Sequence, residues 1–231
     1  REDAGIEFDK GKVSGRSLFL IDGKNADAYL LANKSGELFL IDSSSKGVTV
    51  TELVTVDKTR TSIELILDKV DATLLPGSSD LSVIEKVLDA GRLMLSADTV
   101  GASQVMLDKA VAYSLERKQF GRLIGSFQAV KHMCAEMAAE LEPCHSMIWH
   151  AAHSQDSSAE DARLMACQTK SHVSEVGKQI SKTSTEVHGG MGFTDELGLH
   201  YWFKRIGLNR QLLGSPELIR EEAGKLQGFD Q

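Results

Sequence analysis

The chain has 231 residues and a net charge of −7, and 42% of its residues are hydrophobic. This length is sufficient for one or two domains with a buried core, and the composition is typical of a globular protein. The negative charge argues against a nucleic-acid-binding protein, and the sequence has no apolar run near the roughly 20 residues that span a bilayer. Three cysteines lack the spacing of metal ligands, and we interpret them as reduced thiols of a cytoplasmic protein: Cys134, Cys144 and Cys167.

The first third of the sequence contains short apolar runs separated by turn signals such as Asp22-Gly23. Such runs are typical of β-strands. We predict five strands, at residues 17–22, 28–31, 37–41, 47–56 and 62–67. Together they indicate an antiparallel β domain over residues 1–76.

After Pro76-Gly77 the apolar residues recur with the helical period of about 3.6. We predict helices at about 80–114, 126–144, 158–188 and 195–206, the second of which could continue past Pro143. A last helix is expected to begin with Ser215 as its N-cap and Pro216 at its first position. Long helices with short connections predict an up-down bundle over residues 77–231, and therefore an α+β protein: a partial antiparallel β domain followed by a four-helix-bundle-like domain.

The end of the first long helix carries Arg117 and Arg122 on either side of Phe120-Gly121. Arginine side chains match phosphate oxygens in bidentate fashion, and an aromatic ring can lie against an adenine or a flavin. The alternative is a solvated basic helix end with Phe120 packed into the core. The residues taken alone favour this alternative.

A second segment, Gly189-Gly190-Met191-Gly192, follows the third long helix. Glycines let the backbone approach a ligand closely, and their free N–H groups can receive a pyrophosphate. The alternative is a plain helix stop followed by a turn.

Together and in this order, the two segments resemble the acyl-CoA dehydrogenase family. The similarity lies in YSLERKQFGR (113–122), FQAVKH (127–132) and EVHGGMGF (186–193). Residues 13–75 resemble the later part of that family's middle β domain, and residues 78–227 its C-terminal helical domain. The family's N-terminal helical domain and first β-strands have no counterpart in this sequence. Because the chain begins within a domain at Arg1, we expect that they were removed rather than lost in evolution.

The resemblance implies an FAD held between the subunits of a dimer, usually within a tetramer. Arg117, Gln119 and Phe120 would reach the diphosphate and adenosine of a neighbouring subunit's FAD, and Gln128 belongs to the same signature. Further positions in or near the nucleotide and substrate sites are Glu186, where a neutral glutamine is common, Gly189 and Gly190 beside the pyrophosphate, and Arg92 near the acyl-CoA. A carboxylate about 4 Å from a pyrophosphate oxygen would be repelled by about 1 kcal/mol even in water.

The sequence departs from the family at the catalytic base. Most members place a glutamate before a Gly-Thr or Gly-Ser pair, where this chain has Leu213. A minority place it directly before the arginine that matches Arg92, where this chain has Gly91. Asp98 is the remaining candidate, since it lies on the same helical face as Gly91, and a buried carboxylate that holds its proton tightly suits a general base. The alternative, which we favour, is an aspartate bonded to an arginine or a hydroxyl.

The flavin-ring pocket departs as well. The family often uses a Trp-x-Thr pair to cover the ring and to hydrogen-bond its N5 side, and the matching residues here are Phe19 and Ile21. Phe19 could pack on the ring, but Ile21 cannot donate a hydrogen bond.

By resemblance, the protein is expected to be an FAD-dependent acyl-CoA dehydrogenase of lipid β-oxidation that passes electrons to an electron-transfer flavoprotein. The segment HGGMGFTDELGLH (188–200) resembles a bacterial branch with mixed-subunit enzymes, some acting on steroid side-chain CoA thioesters, in which one chain type is incomplete. Gly91 and Leu213 would leave space and apolar walls for a bulky acyl group. The alternatives are a non-catalytic partner that completes the FAD site of another chain, in a homo- or hetero-oligomer, and a fragment that oligomerises without binding a ligand.

Overall fold

The computed structural model describes residues 5–78 and 80–229. The chain divides into two compact units between Val87 and Leu88. The first contains the two larger β-sheets, and the second contains most of the helical residues and a short hairpin. Because the first long helix begins at Leu81, its first turns belong to the β unit, and the expected domain boundary at 76–77 stays a prediction.

Two antiparallel sheets form the first unit. One has the strand order β1-β2-β6-β5 and the other the order β3-β4-β7. The strands are β1 (Gly5–Asp9), β2 (Lys12–Ile21), β3 (Ala28–Ala32), β4 (Leu38–Asp42), β5 (Val48–Glu52), β6 (Ser62–Asp71) and β7 (Thr73–Leu74). The five predicted strands correspond to β2–β6. The sequence prediction missed β1, whose two apolar residues are too few for a recognisable alternation, and the two-residue β7.

The inward-facing side chains of both sheets share one core. On β6 the alternation is regular, since Ile63, Leu65 and Leu67 are buried. Side chains from the other sheet belong to the same cluster, so the sheets pack face to face: Tyr29, Leu31, Phe39 and Ile41. The α+β class predicted from the sequence is confirmed.

β2 is irregular near its end, because its register with β6 shifts between Ser17 and Leu20. Phe19 lies in this shift with φ of 60°, a left-handed conformation that is uncommon for a non-glycine residue. Its side chain is exposed, whereas Ile21 is half-buried. The predicted contact of Phe19 with a flavin ring stays a prediction.

Five long helices form the second unit, with the first turns of α1 in the β unit: α1 (Leu81–Glu116), α2 (Gln128–Asp156), α3 (Ala162–His188), α4 (Leu199–Gln211) and α5 (Pro216–Leu226). α2 continues through Pro143, although an interior proline costs about 3 kcal/mol, because Leu141, Cys144 and Ala151 remain buried on either side of it. α4 begins later than predicted, since Gly198 has φ of 66° and cannot continue a helix. α5 begins at Pro216 as predicted.

The core of the bundle draws on the first four helices. α3 approaches α1 so closely that a Cβ on Gly177 would lie 2.5 Å from the Thr99 methyl carbon. The buried cluster includes Val100, Met106 and Ala110 of α1, Met137 and Leu141 of α2, Val173 and Ile180 of α3, and Leu199 and Ile206 of α4. Among the helices of the described residues, none combines the length and the hydropathy needed to cross a bilayer.

Candidate functional site

A short hairpin follows α1. Its strands, β8 (Lys118–Gln119) and β9 (Arg122–Leu123), are joined by Phe120-Gly121. Both turn residues have positive φ, 53° and 76°, as in a type I′ turn. Phe120 is an unfavourable residue for this conformation, and its side chain is 91% exposed. The alternative in which Phe120 packs into the core is therefore wrong, and an exposed aromatic on a strained turn is typical of a binding surface.

The Phe127 ring packs against the hairpin through Arg122 and Phe120. The guanidinium of Arg122 lies 3.9 Å from the centroid of the Phe127 ring, and the Phe120 ring meets it edge-on with centroids 6.1 Å apart. Arg122 is thus a support of the turn, while Arg117 is exposed beside it.

The glycine segment forms a tight turn after α3. Gly189 ends the helix with φ of 57° and begins a 3-10 turn that spans Gly189–Phe193. Gly192 is required by packing, because a Cβ there would lie 2.5 Å from the Thr185 carbonyl oxygen. Gly190 is different: a Cβ there would have no neighbour within 4 Å among the described residues. Since the chain itself has room for a side chain at Gly190, the bare backbone is available to a group from outside.

The hairpin and the glycine segment line one cleft of about 430 Å³, which we call the hairpin-glycine cleft. Arg117 and Gln119 contribute from the hairpin side, and His188, Gly189 and Gly190 from the other side. The remaining lining residues are apolar or aromatic: Tyr113, Ile124, Val187 and Met191. A cation, an amide and exposed backbone thus converge on a cavity in the size range of small-ligand sites.

His188 forms the floor of this cleft as a neutral ring. It is buried, and burial lowers its pKa. Its Nδ1 donates to the Ser184 carbonyl oxygen at 2.7 Å, and its ring stacks on Tyr113 with centroids 4.6 Å apart. The positive charge on the wall of the cleft therefore comes from Arg117.

Three predicted nucleotide-site residues do not line the cleft: Phe120, Gln128 and Glu186. Gln128 begins α2 and lies 3.5 Å from His132. Glu186 is exposed on the last turn of α3. Their predicted contacts with a cofactor stay predictions.

Gly91 and Leu213, the two residues that the sequence analysis compared with the family's base positions, lie close together. A Cβ built on Gly91 would lie 2.5 Å from Leu213 Cδ1. Leu213 has φ of 57° and is 39% exposed, so it forms an apolar wall beside Gly91. The expected space for a bulky acyl group beside these two residues stays a prediction.

Arg92 lies directly behind this pair and is 6% exposed. Its Nε donates to the Leu213 carbonyl oxygen at 3.2 Å. Nη1 donates to Asp89 at 2.9 Å and to Glu222 at 3.0 Å, and Nη2 donates to Glu222 at 2.7 Å. The hydrogen bond from Arg92 lowers the pKa of Glu222, whereas burial raises the pKa of Asp89. Arg92 is therefore held by groups of its own chain.

Candidate metal ligands surround the same arginine. Asp89, Cys167 and Glu222 place their ligand atoms within 4.8 Å of one another. However, Arg92 Nη1 lies among them and donates to Cys167 Sγ at 3.4 Å. Burial raises the pKa of Cys167 to about 12, so it is a thiol. The guanidinium already supplies the cation that these groups require.

The Asp98 carboxylate is bonded to an arginine, as the alternative interpretation in the sequence analysis expected. Arg205 donates to both carboxylate oxygens, with distances of 2.7 to 3.1 Å, and Asn209 Nδ2 donates at 2.6 Å. A carboxylate that accepts these bonds has little capacity left for a substrate proton. A catalytic role for Asp98 stays an untested prediction.

Sequence reasoning missed two groups behind the Leu213 turn, Glu222 and Lys170. The Lys170 side chain is 1% exposed, and its Nζ donates to the Asn209 carbonyl oxygen at 2.7 Å, at the end of α4. The available signal was its position on the apolar stripe of α3 together with Ala166, Val173 and Gly177. Glu222 gave no periodic signal.

Comparisons with known proteins show which family the chain belongs to. Residues 81–226 match the family model described as acyl-CoA dehydrogenase, C-terminal domain. The chain belongs to the acyl-CoA dehydrogenase family. Members of this family are in general FAD-binding oxidoreductases.

Individual relatives cover both units. Acyl-CoA dehydrogenase FadE34 of Mycobacterium tuberculosis is 30% identical over 94% of this chain and 30% of its own length. Subunit CarC of the caffeyl-CoA reductase-Etf complex of Acetobacterium woodii is 38% identical over 48% of this chain and 29% of its own. A solved variant of the Tcur3481–Tcur3483 steroid ACAD has a TM-score of 0.88 at 25% identity, over 98% of this chain and 63% of its own. The chain thus spans less than two thirds of each of these acyl-CoA dehydrogenase relatives.

Proposed function

We propose that this chain is a subunit of an FAD-dependent acyl-CoA dehydrogenase, and that it supplies the nucleotide-binding part of the flavin site without supplying the usual catalytic base. One observation carries the proposal: Arg117 and Gln119 line the same cleft as Gly189 and Gly190.

The cleft fits a pyrophosphate. Arg117 would pair with its oxygens, and the bare backbone at Gly189 and Gly190 would approach it without a side chain in the way. Gln119 would bind a polar group of the nucleotide. When bound, FAD would supply the hydride acceptor for α,β-desaturation of an acyl-CoA thioester.

Phe120 is proposed to act across a subunit boundary. Its ring is 91% exposed, and its aromatic contact within the chain is the edge-on approach to Phe127. By family resemblance, it would contact the cofactor of a neighbouring subunit in a dimer of dimers, a homo- or hetero-oligomer. This contact would compensate for the unfavourable φ of Phe120.

The base is proposed to be absent from both usual positions. Leu213 is a hydrocarbon and cannot accept a proton, and Gly91 has no side chain to do so. Asp98 is held by Arg205 and Asn209. We therefore propose the incomplete subunit of a mixed enzyme, consistent with a relative whose name pairs two designations and specifies a steroid ACAD.

An electron-transfer flavoprotein is the proposed electron acceptor. The support is the family resemblance and the naming of CarC as a subunit of an Etf complex. The hairpin-glycine cleft would not itself distinguish this acceptor from another flavoprotein.

A non-catalytic partner is the second candidate function. In it, Arg117 and Phe120 would complete the FAD site of another chain while this chain carries out no chemistry. The absence of a carboxylate at both Gly91 and Leu213 favours it over an enzyme that works alone.

FAD binding by the intact protein tests the shared proposal. We expect Arg117→Gln to weaken FAD binding by about tenfold or more, because a charge-assisted hydrogen bond contributes about 1.5–3 kcal/mol. Lys118→Gln is the matched control, since it removes the same charge from the neighbouring residue, which does not line the cleft. Equal affinities for the two variants, or no flavin binding by the unaltered protein, would contradict the proposal.

Turnover separates the two candidate functions. Acyl-CoA oxidation with an artificial electron acceptor should require a second dehydrogenase chain in either case. Cross-linking of an acyl-CoA probe to this chain in the mixed sample would support the subunit, and cross-linking to the second chain alone would support the non-catalytic partner. Activity of this protein alone would contradict the missing base.

A further inference from the structure

We infer that Glu222 is a positioning residue, which fixes the Arg92 guanidinium so that Arg92 holds the backbone of the Leu213 turn. The inference rests on the proposed function, in which Leu213 occupies one of the two positions where the family places its base. It concerns a charged residue of α5 that matches none of the motifs described above.

The hydrogen bonds of Arg92 show how the guanidinium is used. Glu222 engages both Nη1 and Nη2, at 3.0 and 2.7 Å, in the bidentate geometry that orients an arginine plane. Asp89 receives a further bond from Nη1 at 2.9 Å. With the plane fixed by these carboxylates, Nε is left to face the Leu213 carbonyl oxygen at 3.2 Å.

The turn needs such a support. Leu213 has φ of 57° and Gly214 has φ of 110°, and leucine adopts a left-handed conformation only where its surroundings hold it. Its carbonyl is held by Arg92, and its side chain is seated against Gly91. On one side of the turn, α4 is capped by Lys170; on the other, α5 begins at Pro216 and carries Glu222.

Glu222 also accepts from Arg163, at 2.7 and 3.1 Å, and thereby links α3 to the same carboxylate. Two carboxylates and two guanidiniums therefore balance in charge within this cluster. Loss of the Glu222 charge would leave Arg92 free to turn toward Asp89 alone, and Nε would lose its alignment with the Leu213 carbonyl oxygen.

Hydrogen–deuterium exchange on the intact protein tests the inference. We expect Glu222→Gln to accelerate exchange about tenfold in peptides that cover residues 208–215, with a much smaller change in the rest of the helical unit. The amide of Leu212, which donates to the Leu208 carbonyl oxygen at 3.1 Å, is one reporter. The control is Glu221→Gln, which removes the same charge from the next residue, an exposed partner of Lys225 at 2.9 Å.

Arg92→Lys provides a second variant if Glu222→Gln unfolds. Lysine keeps a cation between the carboxylates but lacks the planar fork and the Nε donor, so the same local acceleration is expected. Unchanged exchange in residues 208–215 would overturn the inference. An equal increase across the whole helical unit would also overturn it, because it would show that Glu222 only stabilises the bundle.

FAD binding measured on the same samples keeps the two proposals apart. Glu222 lies outside the hairpin-glycine cleft, so Glu222→Gln should retain FAD like the unaltered protein. If the unaltered protein binds no FAD, the proposed function fails, whereas the exchange result still decides the role of Glu222.

Discussion

The hairpin-glycine cleft and the cluster of Arg92 with Asp89, Arg163, Cys167 and Glu222, here called the Arg92 cluster, differ in how the arginine side chain is used. Arg117 is exposed on the wall of the cleft, next to the turn at Phe120, which has a positive φ and an exposed ring. The same cleft contains Gly190, where the fold leaves room for a side chain. Arg92 is buried, and each of its guanidinium nitrogens donates to a group of its own chain. The first region presents a cation and bare backbone on an open cleft, whereas the guanidinium of the second is already hydrogen-bonded within the chain.

This contrast decides which arginine could bind a ligand. By family resemblance, Arg92 would lie near the acyl-CoA. Its guanidinium, however, already donates hydrogen bonds to Leu213, Asp89 and Glu222. It can shape the substrate region only by holding the Leu213 turn. The contrast would fail if Arg92 proved dispensable or if Arg117 proved important for folding.

The largest expected effect comes from removing the buried cation. Arg92→Met should lower the free energy of unfolding by about 3–5 kcal/mol, because the buried Asp89 would lose its cation and the half-buried Glu222 would keep only Arg163. Arg117→Met should change it by less than about 0.5 kcal/mol, as is usual for an exposed side chain. Urea unfolding of both variants measures the difference, and equal losses would contradict the contrast.

A smaller effect is expected from the buried lysine behind the turn. Lys170→Met should lower the free energy of unfolding by about 1–3 kcal/mol at pH 7, since the Asn209 carbonyl oxygen would lose its donor. Burial lowers the pKa of Lys170 to about 8 from its ordinary 10.5.

The pH dependence of Lys170 has a definite sign. Between about pH 8 and 10.5 the unfolded chain binds more protons at this residue than the folded chain, so its contribution to stability should rise with pH in this window. The difference in stability between the unaltered protein and Lys170→Met should therefore change across the window. Lys178→Met, at an exposed lysine, should show no such change, and parallel pH profiles for all three proteins would be inconsistent with this account.

The contact between the two base positions predicts a coupling. Gly91→Glu should destabilise the protein by about 1–3 kcal/mol, because the new side chain would meet Leu213 Cδ1. Adding Leu213→Ala should recover at least about 1 kcal/mol of that loss, as expected for residues in contact. A double-mutant cycle by thermal unfolding measures this coupling, and additive effects would show that the two positions are independent.

The smallest effect on stability is expected at the hairpin turn. Phe120→Gly should change the free energy of unfolding by less than about 1 kcal/mol, because glycine relieves the positive φ while only the edge contact with Phe127 is lost. The same variant should weaken FAD retention in the assembled protein if Phe120 acts across a subunit boundary. Unaltered FAD retention would remove Phe120 from the proposed site.

Local patterns explain what could be predicted from the sequence. The strands β2–β6 and the long helices follow from apolar periodicity, and the start of α5 follows from Ser215-Pro216. The sequence left open whether α2 continues beyond Pro143, because buried contacts on both sides of the proline decide this against its local preference. Similarly, the left-handed Gly198 shifts the start of α4.

The two regions differ in the same respect. Arg117, Phe120 and Gly190 can be found locally, because each lies in a short segment that directly follows the end of a predicted helix. By contrast, Glu222, Arg163, Cys167 and Asp89 come from three helices and meet only through tertiary packing around Arg92. No residue spacing in the sequence indicates that these four side chains lie together around Arg92.

An experimental structure of the intact protein with FAD tests the central claim most directly. The account predicts FAD diphosphate oxygens within hydrogen-bond distance of the Arg117 guanidinium and against the Gly189-Gly190 backbone, with Phe120 at a subunit boundary. A structure in which FAD binds elsewhere, and in which this helix end faces open solvent far from any other subunit, would contradict it.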